Sequence, residues 1–259
     1  MLLAAYTLWL RDIVRFYRQR SRIVGALGSP IVFWLLLGSG LGRSFAGDAT
    51  RPPVESYLQY FYPGTLALIV LFTAIFSTIS IIEDRQEGFL QGVLVAPVPR
   101  SAIVMGKILG GTTLALAQAL VFLLLAPLAG VPISLATLPA LVGVLAVLGF
   151  ATTGLGLLVA WWLDSTQGFH AIMNLLLIPM WLLSGAVFPA SGASGWIRAI
   201  MLVNPMTYGV SALRHVIFPG GSHAGGFADP GLTLSVLVVV AFGMAMLAAD
   251  TWLVARRGY

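Results

Sequence analysis

The chain has 259 residues, of which 59% are hydrophobic and 9% charged, with a formal net charge of +5. An ordinary soluble domain carries about a quarter charged residues, so this chain lacks the polar surface for a water-exposed fold, and its mean hydropathy of +0.96 points to lipid as the solvent. With no cysteine it has neither a disulfide scaffold nor thiolate metal ligands nor a cysteine nucleophile.

The first element, residues 1–22, reads as an amphipathic interfacial helix rather than a secretory leader, because its arginines follow its apolar residues. On a helix, Arg11, Arg15, Arg18 and Arg22 fall within about 60° of one another, and Leu2, Tyr6, Trp9, Ile13, Phe16 and Tyr17 gather opposite. Such a helix lies in the membrane surface with its arginines against anionic head groups, or it serves only as a topology anchor.

Six apolar runs follow, at 23–42, 58–82, 106–130, 135–163, 168–189 and 231–254. Each is long enough to cross the hydrocarbon core, which takes about 20 helical residues. The expected fold is therefore all-α integral membrane, a single domain over 1–259. Spans one to five occupy 23–189, a re-entrant outer region 190–230, and the last span with a tail 231–259. With the amino terminus in the cytosol, Arg11, Arg15, Arg18, Arg20, Arg22, Arg85, Arg100, Lys107, Arg256 and Arg257 lie inside. Only Arg43, Arg51, Arg198 and Arg214 lie outside. That asymmetry favours both termini inside and an even number of spans.

Between the second and third runs lies a polar interruption, Glu83, Asp84, Arg85, Gln86, Glu87 and Gly88. It is followed by the short apolar stretch Phe89–Val95 and the turn at Pro97. Phe89, Leu90, Val93 and Leu94 make one stripe on a short helix, to be covered either by the protein's own cytoplasmic face or by a cytosolic partner. Gly88 permits the turn into this helix and Pro97 stops it. Between the fifth and sixth runs the chain is apolar but broken by Pro and Gly, which suits two short helices dipping into the outer leaflet. Asn204 before Pro205 is a strong helix start.

Three segments carry a family resemblance. EDRQEGFLQGVLVAPVPRSAIVMGK (83–107) resembles the first cytoplasmic loop of type-2 ABC exporter permeases; NPMTYGVSALR (204–214) and LLSGAVFP (182–189) are similar to their signatures before the last span. The sequence departs from that pattern at Phe89, where threonine is common, and at Gln91, where glutamate is common. The resemblance implies an exporter half in a bacterial inner (plasma) membrane. Two permease chains, expected to be a homodimer, would pair with two ATP-binding subunits. ATP and magnesium would then be held by those subunits and no cofactor by this chain, with membrane lipid as the surrounding partner and nucleic acid as none. No G-x-x-x-x-G-K-S/T loop is present; Ser101 and Ile108 replace two of its required positions around Lys107. The resemblance makes Glu83–Pro97 a coupling helix, with Glu83, Asp84, Arg85, Glu87, Gly88, Leu90, Leu94 and Pro97 as its contact residues, and Asn204, Pro205, Tyr208 and Arg214 an outer-gate motif.

A substrate pathway through spans one, two and five, as in that family, would be lined by Thr73, Phe76, Ser77 and Ser80 on one helical face. His170, Asn174, Leu177 and Trp181 would line the other. These positions equally suit packing between helices, as do Gly106 and Gly110. Their mixture of aromatic, apolar and hydroxyl groups favours a drug-like, antibiotic or lipid-like cargo over the alternative, a polysaccharide or glycolipid. A polytopic membrane enzyme is the rival class, but it needs clustered ionisable groups at the membrane. Here Asp164 with Ser165 suits a helix cap, and Asp250 is placed to pair with Arg256 or Arg257.

Overall fold

The computed structural model describes residues 2–18, 28, 30–37, 40, 57–188, 190, 193–219 and 230–256. In chain order its helices are α1 (Leu2–Arg18), α2 (30–37), α3 (Tyr57–Ser77), α4 (Ile79–Gln86), α5 (Phe89–Val95), α6 (Arg100–Leu123), α7 (Leu138–Ala160), α8 (Thr166–Trp181), α9 (Gly195–Val203), α10 (Pro205–Ile217) and α11 (Leu232–Arg256). Among the described residues five helices are long and apolar enough to cross a membrane: Tyr57–Gln86, Arg100–Leu123, Leu138–Ala160, Thr166–Ala186 and Leu232–Arg256. The protein is thus a multi-pass membrane protein. Half of the expected first span, 23–42, lies outside the described residues, and the part that is described is helical.

Local chemistry sets the helix ends. Extended backbone at Pro99 opens α6 at Arg100 rather than at 106, and Pro127 in the 3-10 turn Ala126–Ala129 prevents its continuation to 130. The polar stretch expected as a loop after the second span is itself helical through Gln86, where Glu83 and Asp84 find partners on α1 and Arg85 finds one in the turn between α7 and α8.

α3 is the central helix, buried along most of its length against α6 and α7, whereas α11 leaves most of its apolar surface to the surroundings. Around the start of α3, Tyr62 stacks on Phe122 at 4.9 Å, and Trp34 of α2 meets both rings edge-on. Each polar handle in this core is satisfied: Trp34 donates to the Leu58 carbonyl at 3.2 Å and Tyr62 to the Phe122 carbonyl at 3.1 Å. In lipid no water can replace such bonds.

Asp250 lacks such a bond. It is fully buried on the α7 side of α11, facing Gly154, and neither carboxyl oxygen has a hydrogen-bond partner among the described residues. The expected pairing with Arg256 does not form, because that guanidinium lies on another face, 4.3 Å over the Trp252 ring; Arg257 is outside the described residues. An unsatisfied buried polar group costs about 1–3 kcal/mol. Asp250→Ala should therefore raise the melting temperature of the detergent-purified protein by about 2–4 °C. A fall instead would show that the carboxyl is held by a favourable contact.

Candidate functional site

The site begins with a close approach of two helices. α1 buries Ala5, Leu8, Asp12 and Phe16, spaced three or four residues apart on one stripe, and lays that stripe on α6. Glycine makes this possible: a Cβ at Gly106 would sit 2.8 Å from the Ala5 carbonyl oxygen. One turn on, Gly110 faces Asp12, and Trp9 donates to Thr113 at 3.0 Å. The Gly106 and Gly110 pair is thus the seat of the amphipathic helix.

A cluster of charges fills the space where α1, α4 and α6 meet. Lys107 Nζ donates to Asp12 Oδ1 at 2.9 Å, to Asp84 Oδ2 at 2.7 Å and to Ser80 Oγ at 3.1 Å. Arg11 forks across Asp84, with Nη1 2.8 Å from Oδ2, and Arg15 Nη1 adds a bond of 2.9 Å to Asp84 Oδ1. Arg15 Nη2 reaches Glu87 at 2.9 Å and Glu83 at 3.1 Å. Three cations thus face four carboxylates, and Lys107, Asp12 and Asp84 are buried. Burial pushes the Asp12 carboxyl above its ordinary range, while the Lys107 charge pulls it back.

This geometry corrects the reading of the first helix. Arg11 and Arg15 do not face head groups; they grip the acidic turn between α4 and α5. It also limits which of the expected contact residues of the coupling helix are open to a partner, since Asp84 is fully buried and Glu83 largely covered. The signal for this pairing was in the sequence, as Asp12, the sole acid among the arginines of residues 1–22, and Lys107, a lone charge in an apolar stretch. Only the fold shows that they meet.

The remaining contacts tie the same region to the other helices. Arg85 donates to Asp164 at 2.7 Å and to the Trp161 carbonyl at 3.2 Å, closing the end of α7; Gln86 donates to the Asp164 carbonyl at 2.7 Å. The cap of α8 is Ser165, whose hydroxyl accepts from the Gly168 amide, so Asp164 is an ion-pair partner rather than the cap. Arg100 donates to the Val254 and Ala255 carbonyls, each at 2.8 Å, at the end of α11. α4, α5 and the start of α6 thereby fasten the ends of α1, α7 and α11.

Gly88 enters α5 with φ of 77°, the left-handed conformation that glycine adopts at no steric cost. α5 ends at Val95, and Ala96 is extended before Pro97, as a residue preceding proline prefers. The apolar stripe of α5 is divided. Leu90 points into the protein with 3% exposure, and Phe89 lies beneath the Arg11 guanidinium, 3.7 Å from its ring centre. The outer face presents Glu87, Gly88, Phe89, Gln91, Gly92, Val95 and Pro97. Leu90 is therefore a core residue rather than a surface one, and Leu94 is half-buried.

At the other end of the bundle, α8 breaks into a wide π turn over Leu182–Ala186, where Gly185 takes φ of 79°. The break frees carbonyls, and the 204–214 segment collects them. Asn204 Nδ2 donates to Met180 O at 2.6 Å and to Leu183 O at 3.1 Å, while its Oδ1 accepts from the Met206 amide to cap α10, with Pro205 in the first turn. Arg214 and Tyr60 both donate to Gly185 O at 3.1 Å, and Tyr208 donates to Leu202 O. Asn204, Pro205, Tyr208 and Arg214 are therefore a brace around a broken helix.

The pathway residues do not share one cavity. Thr73 donates to Gln118 at 2.6 Å and Ser80 binds Lys107, both buried against α6. Ser77 faces Gly111 of the same helix. Leu177 and Trp181 are buried in the core, the latter donating to Gly64 O at 2.8 Å. His170 and Asn174 are exposed and Phe76, like Ser77, is half-buried, with the Phe76 and His170 rings 4.8 Å apart.

The family model for ABC-2 type transporters matches residues 4–218. Nodulation protein J of Rhizobium leguminosarum bv. viciae is 27% identical over 209 residues, covering 80% of this chain and 79% of that protein. A daunorubicin resistance ABC transporter permease protein of Streptomyces coeruleorubidus is 25% identical over 232 residues, covering 88% of this chain and 78% of that protein. The matched region runs from α1 through the charge cluster to the brace around Gly185, and the chain belongs to the ABC-2 type transporter family as its membrane permease subunit.

Proposed function

We propose that the chain is the permease of an ATP-driven exporter, and that α5 with its flanking turns, Glu83–Pro97, receives the motion of a separate ATP-binding subunit. The observation that carries this reading is the clamp. α5 follows α4 after the short turn at Glu87 and Gly88, and Asp84 of α4 is bonded to α1 through Arg11 and Arg15 and to α6 through Lys107. A push on α5 cannot be absorbed locally, because the buried charges would have to part in a low dielectric. It is passed instead to α1 and α6 as a unit.

The assembly we propose has two ATP-binding subunits, which hold ATP and magnesium, and two copies of this chain. The exposed apolar face of α8, with Ile172, Leu175 and Ile178, suits contact with the second copy. The cluster lies at the cytoplasmic end, both termini are inside, and the membrane is the bacterial inner (plasma) membrane. Cargo passes along the face bearing Phe76, His170 and Asn174. Their chemistry favours an amphiphile, in keeping with the daunorubicin resistance permease among the relatives.

The test is to purify the chain with the ATP-hydrolysing subunit that accompanies it, reconstitute the complex in vesicles, and screen amphiphiles and soluble glycans for stimulated hydrolysis. Stimulation by amphiphiles alone supports the reading. Stimulation by glycans alone would overturn the cargo class, and hydrolysis by the chain without a partner would overturn the division of labour.

A further inference from the structure

α1 has a second face that the clamp does not use. Leu3, Leu10, Val14 and Tyr17 are exposed by 76%, 41%, 42% and 59% and share one side of the helix, away from the stripe that sits on α6. A run of exposed apolar side chains on an amphipathic helix beside spanning helices meets acyl chains rather than water. Beside this face lies a cavity of about 390 Å³, between α1 and the turn after α4, lined by Arg11, Val14, Arg15, Arg18 and Glu87.

Of the three arginines, two are committed. Arg11 is held by Asp84, and Arg15 by Asp84, Glu83 and Glu87, which also matches the charge of the one carboxylate in the cavity. Arg18 is exposed and makes no ion pair among the described residues. On the helix it lies between the arc of Leu10, Val14 and Tyr17 and the clamp side bearing Arg11 and Arg15. Among the described residues the cavity thus has one unmatched cation at the border between acyl-facing and charged surface.

We propose that this cavity binds the phosphate of a single anionic phospholipid, with Arg18 as its main contact, while the acyl chains run along Leu10 and Val14. One phosphodiester carries one negative charge and so matches Arg18, the cation left unpaired among the described residues that line the cavity. A soluble phosphate would leave the apolar arc uncovered, and a zwitterionic lipid would bring its own cation against Arg15 and Arg18. Because the site shares Arg15 with the clamp, its occupancy reports directly on the position of α1. The proposal requires only that the chain sits in a membrane, and it stands whether or not the transport reading does.

The test uses the full chain, purified in detergent without an ATPase, and native mass spectrometry with phosphatidylglycerol and phosphatidylcholine titrated separately. The parent is expected to bind one phosphatidylglycerol about tenfold more tightly than phosphatidylcholine. Arg18→Glu should abolish that preference, Arg18→Lys should keep most of it, and Leu10→Ser with Val14→Ser should weaken both lipids together. Millimolar inorganic phosphate should leave the bound lipid in place. Equal binding of the two lipids, an unchanged preference in Arg18→Glu, or displacement by inorganic phosphate would each overturn the proposal. Arg18 is exposed, so its variants should melt like the parent; if Arg18→Glu does not, Arg18→Gln decides the same question without charge reversal.

Discussion

Lys107→Met should destabilise the protein by about 3–5 kcal/mol, the usual cost of removing one partner from a buried ion pair. The lysine is 4% exposed and its three bonds go to Asp12, Asp84 and Ser80. After its loss Asp84 still has Arg11 and Arg15, but Asp12 keeps only the Arg11 guanidinium at 3.9 Å. Asp12 is therefore the group left stranded, and its burial already disfavours its charge. Adding Asp12→Asn to Lys107→Met should recover a large part of the loss, with a coupling energy above about 1 kcal/mol in the double-mutant cycle. Thermal melting in detergent reads the stability, and hydrolysis by the reconstituted complex reads transmission through α1. If Lys107→Met melts and hydrolyses like the parent, the charge cluster is not what binds α1 to α6, and the rigid path from α5 loses its basis.

The sequence carried the class of the fold plainly, because runs such as 58–82 and 231–254 are too long and apolar for anything but a span, and the structure places helices over both. The brace at Asn204 was legible for a local reason: an Asn-Pro pair reports on its own backbone, and the cap forms where the pair stands. What could not be read was any contact made at a distance. Asp84 and Lys107 looked like ordinary charges of a cytosolic loop; only the fold brings them within 2.7 Å, and the crossing of α1 over Gly106 adds Asp12. The burial of Thr73, Ser80, Leu177 and Trp181 was hidden for a related reason. Helical periodicity puts Thr73, Ser77 and Ser80 near one face, but whether that face meets a cavity or another helix depends on α6, whose glycines draw it close. The stripe of Phe89, Leu90, Val93 and Leu94 on α5 was read as a single surface, whereas Leu90 is buried in the protein and Phe89 is exposed.

That division within α5 separates docking from folding, and it yields the second large effect. Val95 is 83% exposed at the end of α5, while Leu90 is 3% exposed beneath it. Val95→Asp places its charge in water in the free permease, so the melting temperature should stay within the change expected of a surface substitution, about 0.5 kcal/mol. In the complex the same carboxylate would be buried against the groove that receives α5, unpaired, at a cost of about 2 kcal/mol or more. Co-purification of the ATP-hydrolysing subunit should fall by at least about tenfold as a result. Leu90→Asp should behave in the opposite order. It puts a charge into the core beside α4 and lowers the melting temperature before any partner is added. Reversing Glu87 to lysine is a poorer probe, because it breaks the bond to Arg15 inside the protein. A complex that forms and transports normally with Val95→Asp would show that the partner does not grip the outer face of α5, and the site of energy transfer would have to be sought elsewhere on the cytoplasmic surface.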